Sequence, residues 1–320
     1  MMDCSERILV KYPLFTTAVR RIQECFDSYG TTAEPACCPI VGESGSGKTT
    51  IISYFANLHP RMDHRWGAEQ PVLLAKIPAR PTVKSLAETL LYKLGDPLWS
   101  RGNTVSKSIR LRELLKQCHV RLLALDEFQH FVDVRQANIP NEVADWLKEQ
   151  VEEAKLAIVV LGLERCLEVL RQNEQLRRRF GANVRVGAFR WENKEERTVY
   201  RAFLHAVQEQ LSGFTMPALS DAEMAFRMHY GSFGLIGYTM KIIRGAARLA
   251  SSQPRREITL ETLAQSYAVN VWAERLDGPN PFLDNFDPDK APPVKLSSGS
   301  TTGDPRIHGR RKAIRVELRA

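Results

Sequence analysis

The residues with the clearest chemical content are Gly42-Glu43-Ser44-Gly45-Ser46-Gly47-Lys48-Thr49, with Thr50 next along the chain. Glycines at this spacing let the backbone wrap around a polyphosphate with several N–H groups pointing inward. Lys48 then supplies a point charge for the β- and γ-phosphates, and Thr49 a hydroxyl for Mg²⁺. The context fits, because the apolar run Cys37 to Val41 precedes the turn and a helical pattern from Lys48 to Leu58 follows it. The positive end of that helix meets the anion.

Leu122-Leu123-Ala124-Leu125-Asp126-Glu127 reads as the second half of the same site. An apolar strand ending in carboxylates delivers Asp126 beside the loop, where it can hold the metal through water. Glu127 is then placed to orient and polarise an attacking water. The expected chemistry is hydrolysis of a nucleotide with Mg²⁺, the metal held by Thr49 and Asp126. A third cluster, Gln175-Leu176-Arg177-Arg178-Arg179-Phe180, pairs an arginine run with an aromatic residue. Such a run is most often a solvated face. Here it reads as an arginine offered to a neighbouring subunit's γ-phosphate, with Arg179 the first choice and Arg178 the second.

The elements that must position these residues follow from periodicity. Residues 13–30 carry Phe15, Ala18, Val19, Ile22, Cys25 and Phe26 on one stripe, a helical period closed by Gly30. Strand candidates are Cys37 to Val41, Val72 to Ile77, Leu122 to Leu125, Leu156 to Leu161 and Val184 to Phe189, with helical patterns between them. Alternating strands and helices predict an α/β fold with a mainly parallel sheet. After Trp191 only helical patterns remain, one opened by the capping-box sequence Ser220-Asp221-Ala222-Glu223. The expected division is an N-terminal extension (1–11), an α/β part (12–190), a helical part (191–275) and a tail (276–320) rich in proline. That tail is expected to be flexible and ends in a basic cluster from Arg306 to Arg319.

Composition narrows the setting. The chain has 320 residues, 43% hydrophobic and 26% charged, with a net charge of +8 that permits an acidic partner such as nucleic acid. No apolar run is long enough to cross a membrane, and the first residues lack a secretory hydrophobic region. Six cysteines with no Cys-x-x-Cys pair read as thiols of a reducing compartment.

Taken together, the phosphate loop, the Asp126-Glu127 pair, the Arg179-Phe180 box and a helical lid resemble the AAA+ ATPases, particularly their initiator-like group. Within it the chain is similar to the TnsC/TniB family of transposition regulators. Asp126-Glu127-Phe128-Gln129-His130, Val160-Leu161-Gly162 and Gly234-Leu235-Ile236-Gly237 carry that resemblance. It implies a five-stranded sheet of order 5-1-4-3-2 and ATP-dependent assembly of a homo-oligomer, ring or filament, on double-stranded DNA in the bacterial cytoplasm. It further implies that the assembly links a TniQ/TnsD-type target selector, or an RNA-guided complex, to a TnsB/TniA-like transposase. The family's DNA-gripping loops correspond to Ala79 to Lys84 and Ser100 to Thr104, with Arg80, Lys84, Arg101, Asn103 and Thr104 as contacts. Two positions depart from the pattern. The polar residue expected after Gly162 is Leu163, and the arginine expected after the Gly234–Gly237 turn is Tyr238, with Lys241 and Arg244 further on. These departures imply a slow ATPase. A helicase-loader or clamp-loader-like ATPase is the alternative reading.

Overall fold

The computed structural model describes residues 8–32, 34–65, 67–79, 81–133, 139–172, 174–271 and 278–291. Helix α1 (Pro13–Ser28) leads into strand β1 (Cys38–Val41) and helix α2 (Lys48–Leu58). A small hairpin, β2 (Met62–His64) and β3 (Gly67–Glu69), precedes β4 (Val72–Lys76), α3 (Val83–Leu94) and α4 (Thr104–Gln117). Then come β5 (Leu122–Asp126), α5 (His130–Asp133), α6 (Ile139–Ala154), β6 (Ala157–Gly162), α7 (Leu167–Gln172), α8 (Glu174–Arg179) and β7 (Val184–Arg185). Helices α9 (Lys194–Gln210), α10 (Ala222–Ser232), α11 (Ile236–Ser251) and α12 (Leu260–Asn270) complete the order.

The main sheet runs β4-β5-β6-β1-β7, with every pairing parallel. Counting its five strands in chain order gives 5-1-4-3-2, the order the family resemblance implies; the hairpin lies outside it. Strand period decides the packing. Cys38, Ile40, Leu122, Ala124, Ala157, Val159 and Leu161 face one core, whereas Val41, Leu123, Leu125, Ile158 and Val160 face the other. Both faces are dry, as expected of a parallel sheet covered by helices. The first core continues without interruption through Tyr200, Phe203 and Leu204 of α9 into α11 and α12. The helical part thus shares a core with one face of the sheet. Tyr12 closes the join, its ring packed edge-on against Phe189 and Phe203.

Three expectations are corrected. The fifth strand is only Val184–Arg185. Val186 N–H still bonds Val41 O, but Phe189 N–H is drawn to Gly234 O instead of continuing the ladder. The capping box expected at Ser220–Glu223 does not form, because α10 is N-capped by Asp221 without a side-chain cap bond. Reciprocal caps instead open α3 (Thr82 with Ser85) and α12 (Thr259 with Thr262).

The third correction concerns the proline-rich end. Residues 278–291 form a strap on the helical part, with Phe282 1% and Phe286 5% exposed. Phe282 meets Tyr267, and Phe286 meets Tyr230. Arg227, itself buried, donates to Pro281 O (2.7 Å) and Leu283 O (3.2 Å), pairs with Glu223 and lies over the Phe286 ring. Arg227→Ala removes a buried, charge-assisted anchor and strands two carbonyls. It is expected to cost about 2–3 kcal/mol, read as a fall in the thermal unfolding midpoint. The basic cluster Arg306 to Arg319 lies outside the described residues, as do residues 1–7 of the expected N-terminal extension.

Candidate nucleotide-binding site

The glycine-rich turn sits at the C-terminal end of β1, between β6 and β7, where strand order reverses and open α/β sheets form their ligand crevices. Its glycines are dictated by geometry. Gly45 and Gly47 adopt φ of +80° and +97°, left-handed values that side chains resist. A Cβ on Gly42 would lie 1.9 Å from Val186 O, so β1 and the end of β7 close only around glycine. Helix α2 starts at Gly47 with no side-chain cap, leaving its first N–H groups toward the cleft.

Lys48 is 9% exposed, and its Nζ donates to Gly42 O (2.8 Å) and Glu43 O (2.7 Å). Burial lowers its pKa, opposed by the carboxylates of Asp126 and Glu127. A desolvated cation beside inward N–H groups is suited to a polyphosphate. Thr49 Oγ1 donates to Asp126 Oδ2 at 2.7 Å, so the hydroxyl and carboxylate converge from α2 and β5. An all-oxygen pair of this kind fits a hard cation such as Mg²⁺. When bound with the triphosphate, that ion would neutralise charge on its oxygens.

Asp126 Oδ1 also accepts the N–H of Glu127 (2.8 Å), which fixes the turn that presents Glu127. Glu127 has φ +58°, a left-handed value uncommon for a non-glycine residue and shared here with His119, Lys155, Phe233 and Arg256. Lys76 Nζ lies 3.8 Å from Glu127 Oε1. Its other oxygen accepts from the Gln129 amide, whose Oε1 takes the N–H of Leu163 (3.1 Å). Gln129 is 5% exposed, and a Cβ on Gly162 would fall 2.6 Å from its Oε1. It therefore ties Glu127 to the end of β6, the place where Leu163 departs from the family pattern. The sequence reading gave Gln129 no role. Its signals were its place in the Asp126–His130 stretch that carries the family resemblance and its polar side chain two positions after Glu127.

The cleft, about 260 Å³, is lined by Gly45, Lys48, Thr49, Asp126, Glu127, Gln129 and Gly237 among others. Gly237 arrives from the start of α11, its N–H bonding Gly45 O at 2.7 Å. A Cβ there would sit 2.5 Å from that oxygen. Tyr238 packs on Gly45, and Lys241 Nζ lies 4.9 Å from the Tyr238 ring centroid. A smaller apolar recess, about 100 Å³, adjoins the cleft through Gly47, Thr50 and Gly237 and is walled by Ile8, Val10, Phe203 and Met240.

The remaining candidates are dispersed. Arg179 is held inside its own chain, 14% exposed, by Glu152 at 3.0 Å and Glu34 at 3.6 Å. Arg178 is 74% exposed and, among the described residues, bonded only to Glu174, one turn earlier on its own helix. Lys84 and Arg101 are exposed, whereas the Asn103 carbonyl is spent capping α4 through Ser106 N–H and Thr104 is half-buried. Arg80 lies outside the described residues. Buried Lys107 holds Trp99 O, and Arg110 holds Leu98 O and Arg101 O, so the turn carrying Arg101 is braced from below.

Comparison with known proteins completes the assignment. No curated protein matches the chain in sequence. The fold is shared with Cdc6p of Pyrobaculum aerophilum at a TM-score of 0.61 and 13% identity, over 84% of this chain and 70% of that one. It is likewise shared with the ORC2 protein of Aeropyrum pernix in its ADPNP-ADP complexes (TM-score 0.59, 14% identity, 82% and 68%). The ORC1 protein of Aeropyrum pernix in complex with DNA is similar at 0.55 and 13% identity, over 84% and 67%. The family model described as "Bacterial TniB protein" matches residues 2–193, which span the phosphate loop, Asp126-Glu127 and the arginine cluster. The chain belongs to the TniB family, the transposition AAA+ ATPases of the TnsC/TniB type.

Proposed function

We propose that this chain is an ATP-hydrolysing regulator of DNA transposition that assembles on double-stranded DNA and links a target selector to a transposase. The observation that carries the reading is the convergence of Lys48, Thr49, Asp126 and Glu127 on one cleft in a chain of the TniB family. In this reading residues Gly42 to Thr50 cradle ATP, Thr49 and Asp126 hold Mg²⁺, and Glu127 orients the attacking water. The selector is of the TniQ/TnsD type or an RNA-guided complex, and the transposase is TnsB/TniA-like. The helical part from 191 to 275, with the strap behind it, acts as the lid over an α/β part spanning 12–190.

The finger role passes to Arg178. An arginine offered to a neighbour must be free to leave its partner, and an exposed helix-surface pair is worth only about 0.3–0.5 kcal/mol. Arg179, clamped by two carboxylates, instead positions the cluster. Arg178→Ala is expected to lower ATP turnover of the assembled protein about 1,000-fold or more with ATP affinity unchanged. Arg179→Ala is expected to act first on thermal stability. Steady-state turnover at protein concentrations above and below assembly checks the first and a thermal melt the second, and full oligomeric turnover in Arg178→Ala would overturn the assignment.

DNA is gripped through Lys84 and Arg101, with Asn103 and Thr104 following Arg101 in the chain and Arg80 as the remaining contact of this reading. Losing both exposed cations by Lys84→Ala with Arg101→Ala should reduce the slope of log K against log salt by about 2 per engaged protomer. Fluorescence anisotropy with labelled duplex measures this, and an unchanged slope would move the DNA contact elsewhere. The reading as a whole is tested by imaging the protein with ATP, Mg²⁺ and duplex DNA. Rings or filaments are expected, and monomers persisting at low salt would overturn it. Slow hydrolysis is expected from Leu163 and Tyr238 standing where polar sensing groups usually do.

A further inference from the structure

The main sheet ends at β7, and nothing among the described residues pairs with the outer side of that strand. Val186 N–H donates to Val41 O at 2.8 Å, and Val41 stands opposite Arg185 in the register. In a parallel ladder Val41 then bonds the residues on either side of Arg185, so the N–H and C=O of Arg185 point away from β1. Gly187, one period on, continues that outward row, and among the described residues no hydrogen bond reaches its main chain. A Cβ placed there would meet nothing within 4 Å. The open stretch closes at Phe189, whose N–H turns to Gly234 O.

Two recesses flank this edge and share Arg185 and Gly187. The larger, about 620 Å³, is walled by Leu14, Phe189 and Val199, and by Tyr12 of the first core. The smaller, about 220 Å³, is walled by Glu43, Glu164 and Val41, the last a member of the second core. The recesses therefore lie toward opposite faces of the sheet, as do the two rows of side chains on any strand. Their linings differ in kind. The larger adds only Glu195 and the Arg190–Glu196 pair to its apolar walls. The smaller holds the Arg185–Glu164 pair (2.6 Å) and the carboxylate of Glu43, for which the described residues supply no ion pair.

Residues 313–319, Ala-Ile-Arg-Val-Glu-Leu-Arg, lie outside the described residues and carry the matching pattern. At strand period Ile314, Val316 and Leu318 share one face, and Arg315, Glu317 and Arg319 share the other. The charged row runs basic, acidic, basic, the complement of two glutamates and an arginine. We propose that this segment adds to the open edge of β7 in its own chain, its apolar row in the larger recess and its charged row along the smaller. Residues 292–313 lead there from the end of the strap and span roughly 70 Å when extended. A domain of this size is only roughly 50 Å across. The sheet edge thereby gains the cover that an exposed strand needs against pairing with other chains. That cover sits against Glu43 of the glycine-rich turn.

Hydrogen–deuterium exchange of the full chain, dilute and without nucleotide or DNA, tests this at peptides covering 184–190 and 313–319. Ile314→Asp with Val316→Asp places two charges in the apolar row without touching either core. Exchange across 184–190, where the sequence is unaltered, should then quicken about tenfold or more with the thermal midpoint unchanged. Val199→Asp, folded by its thermal midpoint, spoils the larger recess and should quicken exchange across 313–319 by a similar factor. Equal exchange across 184–190 in the tail variant and the wild type would overturn the assignment. So would protection of 313–319 that appears only on concentrating the protein, which gives the segment to a neighbouring copy. Protection that appears only with duplex DNA would overturn it too, making the segment a nucleic-acid contact.

Discussion

Lys48→Ala is expected to weaken ATP binding about 100-fold or more while leaving the protein folded. Among the described residues the ammonium is the only side-chain cation lining the cleft. It is already desolvated and pointed at the loop, so the contact with phosphate is charge-assisted and short of competing water. Losing such a contact costs on the order of 3 kcal/mol. Stability should move little. Burial lowers the Lys48 pKa, so the unfolded chain binds its proton more tightly than the folded one. The charge therefore opposes folding at neutral pH and is relieved only as pH rises toward the unfolded value. Alanine removes that opposition together with the bonds to Gly42 O and Glu43 O, and the two effects offset each other. Titration calorimetry beside a thermal melt separates the cases. Near-normal ATP affinity in a folded Lys48→Ala protein would remove the polyphosphate from this turn and with it the proposed function.

What the sequence made legible divides by the range of the interaction that fixes each feature. The glycine-rich turn and its meeting with Asp126 were readable because their placement is set by spacing: Gly42 to Gly47 lies between β1 and α2, and Asp126 ends an apolar strand. The sheet faces were readable for the same reason, since alternation along β1, β5 and β6 assigns each residue to one core or the other. Features settled by distant partners were not. Arg179 is sequestered by Glu152 and Glu34, neither of which announces itself near residues 175–180. Gln129 gains its role only once β6 is laid beside β5 and Leu163 N–H comes within reach. The strap was hidden by averaging. Prolines dominate the composition after residue 276, but Phe282 and Phe286 are enough to anchor it when Arg227 waits on α10.

The same distinction bears on how the helical part is coupled to the cleft. Gly237 reaches the phosphate loop through a main-chain bond, and no side chain is required for it. A missing arginine at Tyr238 therefore does not uncouple the helical part from the loop. Under the proposed function, Tyr238 would leave the phosphates without that charge while the main-chain connection stays. A protein of this design is expected to bind nucleotide and change its contacts readily, and to hydrolyse slowly.

Glu127→Gln is the substitution expected to separate those two capacities most sharply. The side chain is held from three directions: the Asp126 carboxylate fixes its backbone, the Gln129 amide bonds one oxygen, and Lys76 lies near the other. Glutamine has the same shape and keeps an oxygen for the Gln129 amide, so the positive-φ turn should survive and ATP affinity should stay within about twofold. What it lacks is a charge to polarise water. General-base assistance contributes typically 10²–10⁴-fold, so turnover should fall at least about 100-fold. With hydrolysis blocked and binding intact, assemblies on duplex DNA should persist instead of resetting, visible as slower dissociation in a chase with unlabelled duplex. Gln129→Leu is expected to give a milder version, lowering turnover by loosening Glu127 without removing its charge. Unchanged turnover in Glu127→Gln would assign the base elsewhere. Failure of the ATP-loaded variant to assemble would mean that Glu127 acts in building the oligomer and not in orienting water.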